Sequence, residues 1–246
     1  MKYLTLFHGS DQIVEKPKLV LGKTTNDYGQ GFYCTENIDL AREWAVKNNT
    51  DGFTNEYLLN TKDLKILNLL DGSYSVLNWI ALLLKNRTFR LNDETAFSAK
   101  EYILENFYID TSKYDIIIGY RADDSYFSYA QSFISNALSI KNLALALKLG
   151  QLGTQIVLVS EKAFNQLEFK KSFPVNKKIY FARFCTRDEK ARKDYQFKIK
   201  NTKPTKEDIF IMDILREEIS NDDPRIQRII LDWCYAYISK RIWLCN

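Results

Sequence analysis

The chain has 246 residues, of which 46% are hydrophobic and 27% are charged, and its net charge is +4. This hydrophobic content excludes wholesale disorder, and the 9 glycines and 4 prolines are too few for collagen-like or low-complexity sequence. The length suits one large domain, or one domain with a small appendage. A typical nucleic-acid binder carries a stronger or more clustered excess of positive charge.

The cysteines and the N-terminal residues set expectations about metals and compartment. There are 4 cysteines and a single histidine, His8, and no two of them have the spacing of zinc ligands, so we expect no metal site. Residues 1–10 lack the apolar core of a secretory signal, and the longest apolar stretch, residues 76–84, is too short to span a bilayer. We therefore expect a cytoplasmic protein with reduced thiols and no membrane contact.

In chain order, the patterns predict a mixed α+β protein. Strands are predicted over residues 3–7, around Tyr33, and over 56–59, 64–69, 115–120, 155–159 and 179–185. Helices are predicted from residue 38, over 74–84, 96–107, 125–133 and 142–149, and from 161 to 167. Gly150 is the expected C-cap of the helix before it.

After Cys185 the sequence becomes strongly charged, and we place a boundary near residue 186. This predicts a domain over 1–186 and a C-terminal helical extension over 187–246, with amphipathic helices at 207–219 and 224–243. Helix pairs of this kind usually pack back on the parent domain, and a role in positioning a partner is the alternative. The basic residues from Lys170 to Lys206 are interpreted as a solvated face, with contact to RNA or DNA as the second interpretation.

Three short segments each join a strand to exposed polar groups. The first is His8-Gly9-Ser10, where a glycine lets a ligand approach the main chain closely; a surface histidine in a loop is the alternative. The second is Gly29-Gln30-Gly31-Phe32-Tyr33, followed by a helix that carries Trp44. Tyr33 and Trp44 can clamp a flat ring, although two core aromatics would give the same pattern.

The third segment begins the strand at 155–159, where Gln155 presents a side-chain amide. A satisfied edge residue is the alternative interpretation. The two glycines before Tyr33 permit a turn that contacts phosphate, but they form neither a dinucleotide-binding fingerprint nor a P-loop.

Taken in order, the segments resemble the ADP-ribosyltransferase fold in the branch of diphtheria toxin and the poly-ADP-ribose polymerases. His8-Gly9, the glycine-tyrosine strand ending at Tyr33, Trp44 and Gln155 match that order. The chain is still more similar to the bacterial family DUF3990, through residues 8–10, 27–45, 115–124 and 152–160. The resemblance covers about residues 1–185. It implies split antiparallel β-sheets flanked by helices.

The resemblance also implies chemistry on NAD, which would be the substrate. His8 would hydrogen-bond the adenosine ribose, the Gly9 main chain would hold the nicotinamide carboxamide, and Tyr33 and Trp44 would stack on the nicotinamide ring. The remaining candidates for NAD contacts are neighbours of these residues: Ser10, Gly31 and Phe32. The bond between nicotinamide and ribose breaks through a transition state that resembles an oxocarbenium ion, which negative charge or polar contacts to the ribose stabilise.

The sequence departs from that branch at one position, where its catalytic glutamate is Gln155. A glutamine can hold a ribose hydroxyl but has no charge and cannot act as a base. Asp123 and Asp124 follow a buried strand and are the best replacement carboxylates, with plain turn chemistry as the alternative. Glu101 and Glu161 are weaker candidates because they are expected to face solvent.

The resemblance predicts a mono-ADP-ribosyltransferase, a bacterial toxin or defence effector that transfers ADP-ribose from NAD to a macromolecular acceptor, protein or nucleic acid. It also allows a partner antitoxin. The alternative is a weak or inactive module of the same fold that binds NAD or a partner without turnover, and Gln155 is the residue that favours it.

Overall fold

The computed structural model is a mixed α+β protein with two β-sheets. It describes residues 3–122, 124–148, 153–197, 203–227 and 229. The strands are β1 (Tyr3–Ser10), β2 (Phe32–Cys34), β3 (Gly52–Asn60), β4 (Ile66–Asn68), β5 (Ile116–Tyr120), β6 (Thr154–Leu158) and β7 (Leu167–Val175). The helices are α1 (Ile38–Ala45), α2 (Val76–Asn86), α3 (Glu94–Phe107), α4 (Asp124–Ile134), α5 (Ile140–Lys148), α6 (Glu161–Asn165), α7 (Lys177–Tyr195) and α8 (Ile211–Glu217).

The chain forms two compact units. The first comprises the described residues within Met1–Leu67, Thr111–Arg121 and Gly150–Lys193, and the second those within Asn68–Asp110, Ala122–Leu149 and Asp194–Asn246. The strands fall in the first unit, apart from the last residue of β4, together with α1, α6 and most of α7. The second unit is helical in its described part, with α2, α3, α4, α5 and α8.

The first sheet has the strand order β1-β3-β7, and both pairings are antiparallel. Its register places Gly9 opposite Thr54 and Glu56 opposite Lys171. The next pair is Tyr57 with Phe169, so Lys170 is an extra residue and the edge strand β7 carries a bulge.

The second sheet has the order β2-β6-β5-β4, and β6 pairs antiparallel with both β2 and β5. One bridge joins β2 to the first sheet. There the Phe7 N–H donates to the Thr35 carbonyl at 2.8 Å, and the Thr35 N–H donates to the Phe7 carbonyl at 2.9 Å.

A hydrophobic core lies on one face of the strands of the first unit. Alternate residues of β2, β5 and β6 enter it, because successive side chains of a strand point to opposite faces. They pack with aliphatic and aromatic side chains of β1, β3 and α6; the buried members are Leu6, Phe32, Cys34, Tyr57, Leu59, Ile116, Ile156, Leu158 and Ala163. The residues between them, including Tyr33 and Gln155, therefore lie on the other face.

The helical unit is organised around α2, which is buried on all sides from Val76 to Leu84. Such a helix needs its end groups satisfied inside the protein. Ser75 and Asn78 form a capping box at its start, and the Asn78 amide donates to the Phe107 carbonyl at 2.9 Å.

Most of the predicted helices and strands are confirmed, with boundaries that agree within two to four residues. One predicted strand is wrong. Residues 179–185 form part of helix α7 rather than a strand. The Asn176 side chain caps this helix by accepting from the Lys178 N–H at 2.8 Å. Tyr180 and Phe181 face the cluster of Ala45, Val46 and Val175, so helical spacing prevails over the β-propensity of the segment.

The C-terminal predictions are tested only in part. Helix α8 lies within the predicted helix at 207–219, whereas most of residues 224–243 and the expected cap Gly150 lie outside the described residues. Helix α7 runs without interruption through residue 186. The assignment of functional domains to 1–186 and 187–246 stays a prediction.

Candidate functional site

The three segments singled out in the sequence lie on neighbouring strands. His8 and Gly9 are on β1, which the bridge at Phe7 and Thr35 joins to the end of β2. Tyr33 on β2 pairs with Val157 of β6, two residues from Gln155. Diagonal neighbours of this kind have main chains about 7–8 Å apart. The fold therefore brings β1, β2 and the start of β6 into one region of the first unit.

His8 contacts β2 through main chain and core rather than through the Tyr33 phenol. Its Nδ1 donates to the Tyr33 carbonyl at 2.7 Å, and its ring lies 4.4 Å from the Phe32 ring, centroid to centroid. Since Nδ1 carries the proton, Nε2 of the neutral imidazole is a hydrogen-bond acceptor. Burial lowers the pKa of His8 below its ordinary value, and the bond to Tyr33 opposes this only in part. The imidazole is therefore neutral near pH 7.

Gly9 lies directly beneath helix α1. A Cβ at this position would be 1.9 Å from the Ala41 oxygen and 2.7 Å from the Ala45 nitrogen. Gly52 on the neighbouring strand is under the same constraint, with a Cβ 2.4 Å from the Ala45 oxygen. The two glycines let the helix approach the sheet more closely than any side chain would allow.

The peptide groups of Gly9 point to the open edge of β1. Both polar groups of Phe7 bond to Thr35, so they face away from β3. Alternate residues of a strand turn their peptide groups to the same edge, so those of Gly9 also face away from β3. Among the described residues none bonds the Gly9 N–H or carbonyl on that edge. The position offers a donor and an acceptor to a planar amide.

The Tyr33 phenol is fixed by the turn that precedes it. Its hydroxyl donates to the Gly29 carbonyl at 2.7 Å and accepts from the Tyr28 N–H at 3.0 Å. Gly29 has φ +77°, in the left-handed region that favours glycine. A hydroxyl with both a donor and an acceptor partner holds the ring in one orientation, as a stacking platform requires.

Gly31, Phe32 and Ser10 have local structural roles. A Cβ on Gly31 would be 2.8 Å from the Leu158 oxygen, so this glycine lets β6 pass close to the turn. Phe32 is buried in the core and supports the His8 ring. The Ser10 hydroxyl donates to Asp11 and accepts from the Gln12 N–H, each at 3.3 Å. Their predicted contacts to NAD stay predictions.

Trp44 lies on α1, and the chain itself covers one face of its ring. The Arg121 guanidinium carbon is 4.8 Å from the ring centroid, within the range of a cation–π contact. Leu40, one turn earlier on α1, packs at Gly153, where a Cβ would be 2.2 Å from a Leu40 methyl. These contacts place α1 against the end of β5 and the start of β6.

Gln155 is buried and its amide oxygen has no hydrogen-bond partner within the described protein. Its side chain is 6% exposed. It lies opposite Gly119 of β5, whose lack of a side chain leaves space on that face. The indole nitrogen of Trp44 is also buried, and no described residue forms a hydrogen bond with it. Buried polar atoms normally have a partner, which can be protein, ordered water or a ligand.

The structure describes the side chains of two of the four carboxylates proposed from the sequence. Asp123 lies outside the described residues, and Asp124 is the first residue of α4, with its side chain also outside what is described. Glu101 and Glu161 are exposed on α3 and α6 as expected. The roles of Asp123 and Asp124 stay predictions.

Two buried charged features were missed by sequence reasoning. The first is Arg121, which is 9% exposed and has its guanidinium over the Trp44 ring. The second joins α1 to α7: Glu43, 7% exposed, accepts from Nε of Arg187 at 2.9 Å and also from its Nη2. The sequence did carry a signal for each. Arg121 is a charged residue directly after a buried strand, and Glu43 is an acidic residue within the apolar stripe of a helix.

Two classes of feature are absent from the described residues. No helix among them is long and apolar enough to cross a bilayer. No group of three or more histidine, cysteine, aspartate or glutamate side chains in that part of the chain could hold a metal ion.

The fold and the candidate site define an α+β protein with two sheets joined at β1 and β2. A family model described as "Protein of unknown function (DUF3990)" matches residues 4–169. This is more than half of the chain, so the protein belongs to the DUF3990 family. No curated protein matches the sequence, and no solved structure matches it either.

Proposed function

We propose that this protein is a NAD-dependent mono-ADP-ribosyltransferase, acting as a bacterial toxin or defence effector on a macromolecular acceptor. The observation that carries the proposal is the convergence of β1, β2 and β6, which places the open main-chain edge of Gly9 beside the strand of Tyr33 and near Gln155. These are the positions that the ADP-ribosyltransferase resemblance assigns to NAD.

The binding roles follow from the chemistry that each group can perform. Gly9 would pair its N–H and carbonyl with the nicotinamide carboxamide, which has both an acceptor and a donor. His8 would accept a ribose hydroxyl at Nε2, since its Nδ1 proton is held by the Tyr33 carbonyl. The Tyr33 ring, already fixed through its hydroxyl, would stack on the nicotinamide at little further cost in side-chain entropy.

Gln155 would orient the ribose of the scissile bond. Its amide oxygen, which bonds to no residue in the part of the chain that the structure describes, can accept a hydrogen bond from a ribose hydroxyl. It cannot remove a proton from the incoming nucleophile. The acid-base step, if the acceptor needs one, would fall to a carboxylate, for which Asp123 and Asp124 are the candidates.

A second candidate function is a binding module that holds NAD, or a partner, without turnover. The uncharged Gln155 favours it, because a glutamine supplies no negative charge to an oxocarbenium-like transition state. The two functions share the same contacts to NAD and differ only in whether the bond to nicotinamide breaks.

The full chain should be incubated with labelled NAD and a cell lysate while nicotinamide release and label transfer are measured. The transferase predicts both products, and Tyr33→Ala should abolish them. Tyr3→Ala, which removes a half-exposed tyrosine of β1, is the matched control and should leave them unchanged.

NAD binding should be measured in parallel by calorimetry. Saturable binding with neither product would establish the binding module and contradict the transferase. The absence of NAD binding to the wild-type chain and to all its variants would contradict both.

A further inference from the structure

Positive charge is concentrated in β7 and most of α7. Residues 167–193 hold nine lysines and arginines but only three aspartates and glutamates, an excess of six. The net charge of the whole chain is +4, so the remaining residues together are slightly acidic. A basic cluster on one segment is the electrostatic feature by which proteins bind nucleic acid.

The three carboxylates of this segment are already paired with basic side chains of the same segment. The pairs are Glu168 with Lys170 at 2.6 Å, Asp188 with Arg192 at 2.8 Å and Glu189 with Lys193 at 2.6 Å. Lys178, Arg183 and Lys190 are exposed and pair with no carboxylate in the part of the chain that the structure describes. These three residues form the basic surface of α7, which extends about 18 Å along the helix.

The opposite side of α7 packs next to the candidate site. Tyr180 and Phe181 pack against residues of α1 and β7, and the Arg187 Nε donates to Glu43 of α1 at 2.9 Å. Helix α1 in turn carries Trp44. A molecule bound to the basic surface of α7 therefore lies on the helix that packs against α1.

We propose that the basic surface of α7 binds the phosphate backbone of a single-stranded nucleic acid, which is the acceptor of the transfer. This inference rests on the proposed function and deepens it by naming the class of acceptor. Enzymes that do chemistry on a base act on single strands or take the base out of the stack, which favours a single strand over a duplex. In the transfer a nucleophilic nitrogen of the base forms the new bond to the ribose carbon. The bond to nicotinamide breaks, its electron pair leaves with neutral nicotinamide, and the proton of the attacking nitrogen passes to a carboxylate or to water.

The composition of the surface favours a nucleic acid over an acidic protein. The core of a protein–protein interface is depleted of charge and enriched in aromatic residues, whereas interfaces with nucleic acid are more polar and much more positive. Ile179, 53% exposed, is the only exposed large hydrophobic side chain of residues 167–193. The Arg183 guanidinium lies over the Tyr180 ring at 5.2 Å. A guanidinium in this position presents its N–H groups at its edge, where they match the geometry of a phosphate.

Binding through phosphates depends on salt, because each contact releases counterions. With three contacts to a single strand, the affinity should fall about 20-fold when the salt concentration rises from about 50 to about 200 mM. The double variant Arg183→Gln/Lys190→Gln keeps one of the three contacts. It should bind more weakly at low salt, and the same rise in salt should weaken it only about 3-fold further.

Fluorescence anisotropy with a labelled single-stranded DNA of mixed sequence, and with the RNA of the same sequence, measures this binding to the full chain. Arg183→Lys/Lys190→Arg keeps both charges and should bind as the wild type does. Lys62→Gln/Lys65→Gln is the matched control, since it removes the same charge from two exposed lysines outside residues 167–193, and it should also bind as the wild type does. Circular dichroism checks that each variant folds. The same oligonucleotides are then incubated with the protein and labelled NAD.

The inference is supported by salt-dependent binding that Arg183→Gln/Lys190→Gln weakens and the control does not, and by transfer of label to the oligonucleotide. It is overturned if the wild type binds neither oligonucleotide at low salt, if the two Gln double variants lose equal affinity, or if a poly-glutamate chain binds as tightly. Label found only on protein also overturns it and leaves the proposed function standing. Absence of NAD binding overturns the proposed function and the acceptor assignment together, whatever the oligonucleotides do.

Discussion

The contact between Gly9 and α1 allows a quantitative test by Gly9→Ala. The added Cβ would be 1.9 Å from the Ala41 oxygen and 2.7 Å from the Ala45 nitrogen. Both are main-chain atoms of one helix, so no flexible side chain can yield. To regain ordinary van der Waals separation, α1 must withdraw from β1 by about 1.5 Å.

Overpacking a well-filled interior costs roughly 1–3 kcal/mol. With two rigid main-chain contacts we expect a value near the upper end, about 3 kcal/mol, which reduces the folding equilibrium constant about 100-fold. For a chain of this size that corresponds to a melting temperature lower by about 6–12 °C. Because α1 carries Trp44, NAD affinity should fall as well.

Thermal and denaturant unfolding followed by circular dichroism measure the change. Gly52→Ala should behave similarly, because its Cβ would be 2.4 Å from the Ala45 oxygen. Ser10→Ala is the control; it loses only local bonds at an exposed site and should change stability by less than about 0.5 kcal/mol. A Gly9→Ala protein that melts within about 2 °C of wild type would refute the close packing of α1 on β1.

Three further predictions concern the charges and hydrogen bonds around this region. Glu43→Gln leaves the mostly buried Arg187 without its counter-charge and should destabilise the protein by about 3 kcal/mol in urea unfolding; a loss below about 1 kcal/mol would contradict the ion pair. Burial lowers the pKa of His8, so the unfolded chain takes up the proton first as the pH falls. The contribution of His8 to the free energy of unfolding should therefore be fully present above the ordinary histidine pKa and decline as the pH is lowered from about 7 to 5. In His8→Ala the free energy of unfolding should depend less on pH over this range. An equal pH dependence in both proteins would be inconsistent with a buried neutral imidazole. Tyr33→Phe removes the bonds to Gly29 and Tyr28 and should weaken NAD binding several-fold without abolishing it, whereas full loss would mean that the hydroxyl itself touches the ligand.

Local patterns predicted the elements whose burial is one-sided or complete. The β-branched run at 115–120 and the apolar run at 76–84 became β5 and α2, because burial on all sides leaves few alternatives. The family match confirms the resemblance to DUF3990 that the motifs around His8, Tyr33 and Gln155 carried. The resemblance to ADP-ribosyltransferases stays a prediction.

The errors lie where tertiary contacts override local preference. No local pattern predicted β7, because the extra residue Lys170 interrupts the alternation of its side chains. Residues 179–185 were predicted to form a strand, whereas Tyr180 and Phe181 pack as one face of α7. The contact of the Arg121 guanidinium with the Trp44 ring depends on how α1 and β5 are placed relative to each other, which no local sequence pattern indicates.

The most direct test of the central claim uses His8, the only histidine of the chain. In an untagged, ¹⁵N-labelled protein the imidazole gives one pair of nitrogen resonances, so NAD can be titrated while Nδ1 and Nε2 are followed separately. We expect a neutral ring protonated at Nδ1 near pH 7 and a saturable shift of the Nε2 resonance as NAD binds. Saturable NAD binding that leaves both His8 nitrogens unchanged would contradict the placement of the site at β1, β2 and β6.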